Sequence, residues 1–170
     1  MNARAGVVGS QVVWFASLPV ILTAPTTEGR FKDAVAGFIF AGLASFMPDL
    51  DHHNSTVGRY VPGLVRKLLG GHRMGSHSFF SVAAAWFLTN YLLEDVNAAN
   101  AVALGWSWHI FIDLLTEQGV GVLYPLSRRK FRLGWMKTGS KGEDRFVTGV
   151  KLTGIGVAIC YGYLLTTGGF

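Results

Sequence analysis

Residues 34–53 read A-V-A-G-F-I-F-A-G-L-A-S-F-M-P-D-L-D-H-H and join an apolar segment to an acidic, histidine-rich motif. The apolar part, residues 34–47, is predicted to form a helix that carries no charged side chain. Pro48 then starts a turn that presents Asp49 and Asp51. Because aspartate and histidine are common ligands of catalytic divalent metals, the stretch predicts a helix that ends at a candidate metal site.

The composition around this stretch indicates a membrane protein. Half of the 170 residues are hydrophobic and 15% are charged, whereas a soluble domain carries about a quarter charged residues. The mean hydropathy is +0.35, and the 22 glycines suit membrane helices. We therefore expect a single integral membrane domain over residues 1–170.

Five apolar segments predict an all-α fold, a polytopic membrane bundle of about five helices. They are residues 5–27, 34–47, 78–93, 98–115 and 152–170. The first exceeds the roughly 20 residues that cross a bilayer, and its poor cleavage site at residues 22–24 favours a retained helix over a signal peptide. Ser78 is expected to cap the third helix. The shorter segments are expected to be tilted or shielded by their neighbours.

The basic residues alternate between connections and predict the orientation. They gather before the first segment, between the second and third, and between the fourth and fifth: Arg4; Arg59, Arg66, Lys67 and Arg73; Arg128, Arg129, Lys130, Arg132, Lys137, Lys141, Arg145 and Lys151. The positive-inside rule then places the N-terminus in the cytoplasm and the C-terminus outside.

The net charge of +5 indicates that the protein binds negatively charged partners. Because the basic residues lie in connections between apolar segments, anionic lipid headgroups are the expected partner and nucleic acid is not. Cys160 is the single cysteine, so no internal disulfide forms. No disulfide-linked partner is expected, and the oligomeric state is left open.

All five histidines fall in three motifs, which the predicted topology places at one membrane face. The motifs are P-D-L-D-H-H (residues 48–53), G-H-R-M-G-S-H-S (71–78) and W-H-I-F-I-D (108–113). His109 and Asp113 share a helix face because they lie four residues apart. Asp49 and Asp51 repel each other unless a cation or proton separates them. Together the motifs predict a divalent metal site, with zinc the first choice and manganese the second.

Each motif alone also has a purely structural explanation. The His109 and Asp113 pair could be a buried hydrogen bond between helices, and the Asp49 turn a solvated cap. The convergence favours a hydrolase instead, because a metal supplies hydroxide at neutral pH. Arg73 would clamp a phosphate oxygen, and Asp49 would be a ligand or a base. The predicted metal ligands are Asp49, Asp51, His52, His72, His77, His109 and Asp113.

At these motifs the chain resembles the LexA-regulated, YdjM-like family of predicted membrane-bound metal-dependent hydrolases. The resemblance is carried by residues 47–52, 71–73, 76–78, His109, 113–116, 119–120, 124–125, 132–133 and 142–143. It implies a small helical inner-membrane protein and a metal hydrolase, with those polar residues as the site, and it supplies no substrate. Three departures stand out: Gln11 where the family tends to have histidine, and His53 and Glu117 where it usually has proline. Gln11 is a poor ligand, His53 is expected to be a bystander, and Glu117 a polar loop residue.

The leading interpretation is a hydrolase that acts at the cytoplasmic interface on a lipid or lipid-linked phosphoester. The alternative is a non-catalytic membrane protein whose cluster is a structural metal or a polar lock, with basic loops that recruit anionic lipid or a protein partner. A metal or proton transporter ranks last, because the polar residues gather at one face rather than along the membrane depth.

Overall fold

The computed structural model describes residues 11–13, 27–53, 55, 58–137 and 140–167. Within these residues the regular structure is helical, apart from two isolated β-bridges, which confirms the all-α class. The α-helices are α1 (Thr27–Ala44), α2 (Gly63–Leu68), α3 (Phe79–Leu93), α4 (Val96–Leu114) and α5 (Lys141–Thr167). Short 3₁₀ helices at Met47–Asp51, Gly58–Tyr60 and Gly75–His77 lie in the connections.

The predicted segments correspond to these helices with shifted ends. The helix α1 stops at Ala44, since Pro48 opens the following 3₁₀ helix and cannot continue an α-helix. The helix α3 begins after Ser78, whose side chain accepts a hydrogen bond from the Ser81 backbone N–H, which confirms the predicted cap. The first predicted segment, residues 5–27, lies outside the described residues except for 11–13, which are helical, and for Thr27, where α1 begins.

Two elements differ from the sequence prediction. The helix α5 begins at Lys141, so the basic residues Lys141 and Arg145 lie in a helix rather than in a loop. The short helix α2 was not predicted, because six residues are too few to show a helical period. Both differences lie in segments that carry basic residues.

The helix α4 packs against both α1 and α3. The helices α1 and α4 run parallel, since Asn97 donates a hydrogen bond to Asp33 at one end and His109 contacts Ser45 at the other. Midway, a Cβ on Gly105 would run into the carbonyl oxygen of Ala41, so the two backbones touch there. Such close approach through small residues is typical of helices packed within a membrane.

Large apolar side chains face outwards, whereas small and polar ones lie inside. Phe87 and Leu92 on α3 are each about two-thirds exposed, at 66% and 65%, while Ala41 and Ala101 are fully buried. This distribution suits lipid rather than water as the surrounding solvent. Within the described residues one segment, Lys32–Asp51, is long and apolar enough to cross a membrane, so the predicted number of crossings stays a prediction.

The connection after α4 folds back beneath the ends of the helices. Val120 and Phe131 exchange two backbone hydrogen bonds of 2.9 Å, and Gly121 donates its backbone N–H to the Arg73 carbonyl at 2.8 Å. Val120 is fully buried as a result. This loop therefore closes the end of the bundle at which the three histidine motifs meet.

Candidate metal centre

Three parts of the chain bring the predicted site residues together. Asp49 and Asp51 lie in the 3₁₀ helix that follows α1, and His77 ends the 3₁₀ helix that precedes α3. His109 and Asp113 lie in the last two turns of α4. Because α1 and α4 run parallel and α3 begins at the same end, these side chains converge.

The orientation of His109 is fixed by the end of α1. Its Nδ1 donates a hydrogen bond to the carbonyl oxygen of Ser45 at 2.6 Å. That carbonyl lies just beyond Ala44, where the helix ends and the last carbonyls no longer have partners within the helix. Nδ1 therefore carries a proton, and in the neutral imidazole Nε2 keeps its lone pair. This Nε2 is buried and has no hydrogen-bond partner.

The orientation of His77 is fixed through a serine. Ser76 Oγ donates to Asp51 Oδ2 at 2.5 Å, and His77 Nδ1 lies 2.9 Å from the same Oγ. If Ser76 gives its proton to the carboxylate, His77 must donate from Nδ1, which again leaves the lone pair on Nε2. His77 is completely buried and its Nε2 also has no hydrogen-bond partner. Histidines that bind metals are commonly held in this way by carboxylates or carbonyls.

The facing atoms of the cluster have the spacing of a metal site. Asp49, His77 and His109 each offer one ligand atom, all within 4.8 Å of one another. His109 Nε2 lies 3.5 Å from Asp49 Oδ1 and 3.6 Å from Asp113 Oδ2, which is 3.2 Å from His77 Nε2. Bonds of about 2.0–2.2 Å in a tetrahedral zinc site place neighbouring ligand atoms about 3.3–3.6 Å apart. The donor set therefore fits a small divalent metal.

Arg73 lies behind this cluster and holds Asp113. Its Nη2 contacts Asp113 Oδ1 at 3.1 Å and its Nη1 donates to Thr116 Oγ1 at 2.8 Å. The residue is 2% exposed and has a positive φ of 64°, an uncommon conformation for a residue other than glycine. Its backbone N–H donates to Asp51 Oδ2 at 3.0 Å, and its carbonyl is bound by Gly121. These bonds hold the unusual backbone in place.

Asp51, His72 and His52 form a second, more open group. His72 Nδ1 donates to Asp51 Oδ1 at 2.8 Å, and 36% of the His72 side chain is exposed. The rings of His52 and His72 lie 4.5 Å apart between centroids. Burial and the neighbouring His72 lower the pKa of His52, which favours the neutral imidazole that a metal needs.

The structure thus divides the seven predicted ligands. Four of them form one cluster around the His109 ring: Asp49, His77, His109 and Asp113. Both carboxylate oxygens of Asp51 instead accept hydrogen bonds, from His72, Arg73 and Ser76. The roles of all seven residues as ligands stay predictions, as does that of Arg73 as an anion clamp.

The three residues that depart from the family pattern lie as follows. His53 is exposed, and its ring stacks on that of His52 at 5.3 Å between centroids. Glu117 is exposed, and its carbonyl accepts a hydrogen bond from Arg132. Gln11 lies against Gly42 of α1, where a Cβ would be 3.1 Å from its Nε2.

Sequence reasoning gave no role to three residues that support the cluster. Ser76 links Asp51 to His77, Thr116 binds Arg73, and the Ser45 carbonyl holds His109. The position of Ser76 between His72 and His77 in the sequence could have indicated the role of this serine. A backbone carbonyl such as that of Ser45 leaves no signal in the sequence.

Known proteins resemble large parts of the chain. It is 30% identical over 121 residues to the uncharacterized protein YvsG of Bacillus subtilis, an alignment that covers 70% of this chain and 72% of YvsG. It is 32% identical over 100 residues to the inner membrane protein YdjM of Escherichia coli, covering 54% of this chain and 50% of YdjM. The uncharacterized protein ORF4 of Methanothermobacter thermautotrophicus is 33% identical over 86 residues, which is 49% of this chain and 35% of ORF4.

No solved structure matches the chain. The model of the YdjM inner membrane protein family matches residues 9–167, which include all three histidine motifs and the five α-helices described above. On that match, the chain belongs to the YdjM inner membrane protein family.

Proposed function

We propose that the protein is a membrane-bound metal-dependent hydrolase that cleaves a lipid or lipid-linked phosphoester at the cytoplasmic interface. The observation that supports this most is the pair of buried imidazoles, His77 and His109. Each has its Nδ1 occupied and its Nε2 without a hydrogen-bond partner, facing acidic side chains. Most buried polar atoms have a partner, and a divalent metal is the partner that this donor set fits. Zinc is the first choice and manganese the second.

The chemistry assigns a separate task to each acidic residue. A divalent metal bound here supplies Lewis acidity and an activated water at neutral pH. Asp113 is fully buried and held by Arg73, so it serves as a fixed ligand. The Asp49 side chain is 21% exposed, so among these four donors it is the one in reach of water and substrate, as a ligand or a base. Arg73 Nε is buried without a hydrogen-bond partner and is the donor left for an anion.

The helix directions and the basic connections support the proposed membrane placement. The parallel helices α1 and α4 end at the centre, and α3 begins there. The connections at this end carry Lys67, Arg73 and the basic run at residues 128–132. The positive-inside rule then makes this end cytoplasmic, in a multi-pass protein whose N-terminus is also cytoplasmic.

The test begins with the metal content of the detergent-purified protein, measured by inductively coupled plasma mass spectrometry. We expect stoichiometric zinc or manganese, and chelator-sensitive release of phosphate or headgroup from a panel of phospholipids and lipid phosphates. The Asp49→Asn variant should keep the metal better than His109→Gln does and should still lose turnover. Chelator-insensitive turnover, or protein without metal, would refute the proposal.

The buried network around Arg73 supports a second candidate, a non-catalytic protein with a structural metal or a polar lock. Arg73, Asp113 and Thr116 are all at most 3% exposed and bonded to one another, as in a structural core. Cobalt substitution separates the two functions. In a catalytic site, added phosphate should shift the visible absorption of Co²⁺, because one coordination position stays open. A spectrum that phosphate leaves unchanged would favour the structural metal.

A further inference from the structure

Two cavities flank the short helix α2, and they differ in chemistry. The first is an apolar groove of about 660 Å³ between α1, α3 and the connection that contains α2, and Trp106 of α4 is part of its wall. Its lining includes Met47, Leu50, Leu69 and Ala84. The second, of about 680 Å³, is lined by Asp51, His53, Lys67, Gly70, Gly71, Gly63 and Arg128, and we call it the basic pocket. Both volumes lie in the range of about 300–1,000 Å³ that is usual for ligand sites.

Each cavity reaches the metal centre through one residue of its wall. Ser76 lines the apolar groove and bonds both Asp51 and His77. Asp51 lines the basic pocket and bonds His72. Because Ser76 and Asp51 are hydrogen-bonded to each other, one hydrogen bond connects the walls of the two cavities.

The helix α2 separates the cavities and has a different side chain on each. Leu68 lines the groove, whereas its neighbour Lys67 lines the basic pocket. Leu64 and Leu68 are about 70% exposed, at 68% and 73%. Such a short helix, with leucines towards the apolar side and a lysine towards the polar side, is suited to the boundary between acyl chains and headgroups.

We propose that the two cavities bind one phospholipid, with a hydrocarbon chain in the apolar groove and its anionic headgroup in the basic pocket. This inference rests on the proposed function, since it names the substrate class of that same site. The charges of Lys67 and Arg128 complement a phosphate group, while the groove offers a hydrocarbon chain a surface that is mostly apolar. A chain and a headgroup so placed would bring the linkage between them to the side of the centre where Asp51 and Ser76 lie.

The test measures lipid binding directly, by native mass spectrometry of the full chain as purified in detergent. The probes are dioleoyl phosphatidic acid and dioleoyl phosphatidylcholine. We expect phosphatidic acid to bind with a Kd about tenfold lower than phosphatidylcholine, a preference that high salt reduces. Equal binding of the two lipids at low salt would overturn the role of the basic pocket.

Matched variants test each cavity separately. Ala84 lines the groove, whereas its neighbour Ala83 is also exposed but does not line it. Ala84→Trp should therefore raise the Kd for both lipids about tenfold, and Ala83→Trp should leave the Kd unchanged. Arg128→Gln should raise the Kd for phosphatidic acid about fivefold, whereas Arg129→Gln should not. Equal effects within either pair would overturn the corresponding half of the inference. Circular dichroism identifies any variant that fails to fold, and Leu69→Trp then serves as the second groove variant.

Metal content, measured on the same samples, separates this inference from the proposed function. Protein that binds its metal and cleaves phosphoesters, yet retains neither lipid, refutes the lipid site alone. Protein that retains phosphatidic acid with the expected variant pattern but holds no metal refutes the hydrolase and leaves the lipid site standing.

Discussion

The molecule carries two groups of histidine and aspartate side chains that differ in the burial of their imidazoles. The inner group, Asp49, His77, His109 and Asp113, has both its imidazoles completely buried, and their Nε2 atoms lack hydrogen-bond partners. The outer group is Asp51, His52 and His72. Its imidazoles are more exposed, with 36% of the His72 side chain exposed, while the Asp51 side chain is fully buried. Ser76 joins the two groups, because it bonds both Asp51 and His77.

The comparison teaches that residue type alone does not define the metal centre. Both groups contain aspartate next to histidine, and the sequence motifs predicted metal ligands in both. In the inner group the backbone of Ser45 and the hydroxyl of Ser76 fix which imidazole nitrogen faces the acids. In the outer group the carboxylate of Asp51 is already occupied by three donors. We therefore expect metal binding to depend strongly on the inner group and weakly on the outer one.

The largest expected effect is from His109→Gln. Glutamine keeps a similar size but is a poor ligand. The Asp49 carboxylate and the buried Asp113 carboxylate would then lose the histidine that contacts both. Metal affinity should fall by more than the factor of about 10–100 that loss of an outer partner costs. Isothermal titration with zinc measures it. His53→Gln, at an exposed position, is the control, and equal affinities for the two variants would contradict the assignment of the inner group.

The sequence predicted the elements of this centre better than their arrangement. The motifs identified all four inner residues, and the predicted topology placed them at one end of the bundle. The distinction between inner and outer groups depends on the turn at Arg73, whose positive φ cannot be read from an arginine in a sequence. It also depends on the Ser45 carbonyl, which any residue would provide.

Helix ends were predicted to within a few residues where a cap or proline marks them. Ser78 and Pro48 are examples, and both act as local chemistry requires. The start of α5 at Lys141 was missed because its first turns are charged and interrupt the apolar pattern. Regulation by LexA, which the resemblance implied, stays a prediction.

A smaller effect is expected from Ser76→Ala, which removes the link between the two groups. His77 would lose the hydroxyl that orients its Nδ1, and Asp51 would lose its shortest hydrogen bond. Loss of such an outer partner lowers metal affinity about 10–100-fold. Ser127→Ala removes a hydroxyl that accepts a hydrogen bond from the Arg129 backbone N–H in the loop after α4, and it is the control. An unchanged zinc affinity for Ser76→Ala would show that Ser76 does not set the His77 tautomer.

Gly105→Ala tests the close contact between α1 and α4, which holds Ser45 against His109 of the inner group. The added Cβ would meet the Ala41 carbonyl and push α1 from α4, which would shift Ser45 relative to His109. Overpacking of this kind costs about 1–3 kcal/mol of unfolding free energy, which denaturant titration in micelles would measure. Gly149→Ala is the control, because nothing lies within 4 Å of its added Cβ. Equal stability of the two variants would contradict the close contact.

The smallest effect is expected from His72→Ala, and it decides whether the outer group is a second metal site. His72 donates to Asp51, and its ring lies 5.9 Å from the His77 ring between centroids, so its loss reaches the inner group through these two contacts. We expect one metal per chain before and after the substitution, with affinity lowered less than about tenfold, below the usual range for a partner that bonds a ligand directly. His53→Ala should change nothing. A fall from two metals to one in His72→Ala would instead make His72 a ligand, as the sequence predicted, and the centre would then be binuclear. In that case the outer group would differ from the inner one in exposure alone, and the open site would be the one that substrate reaches first.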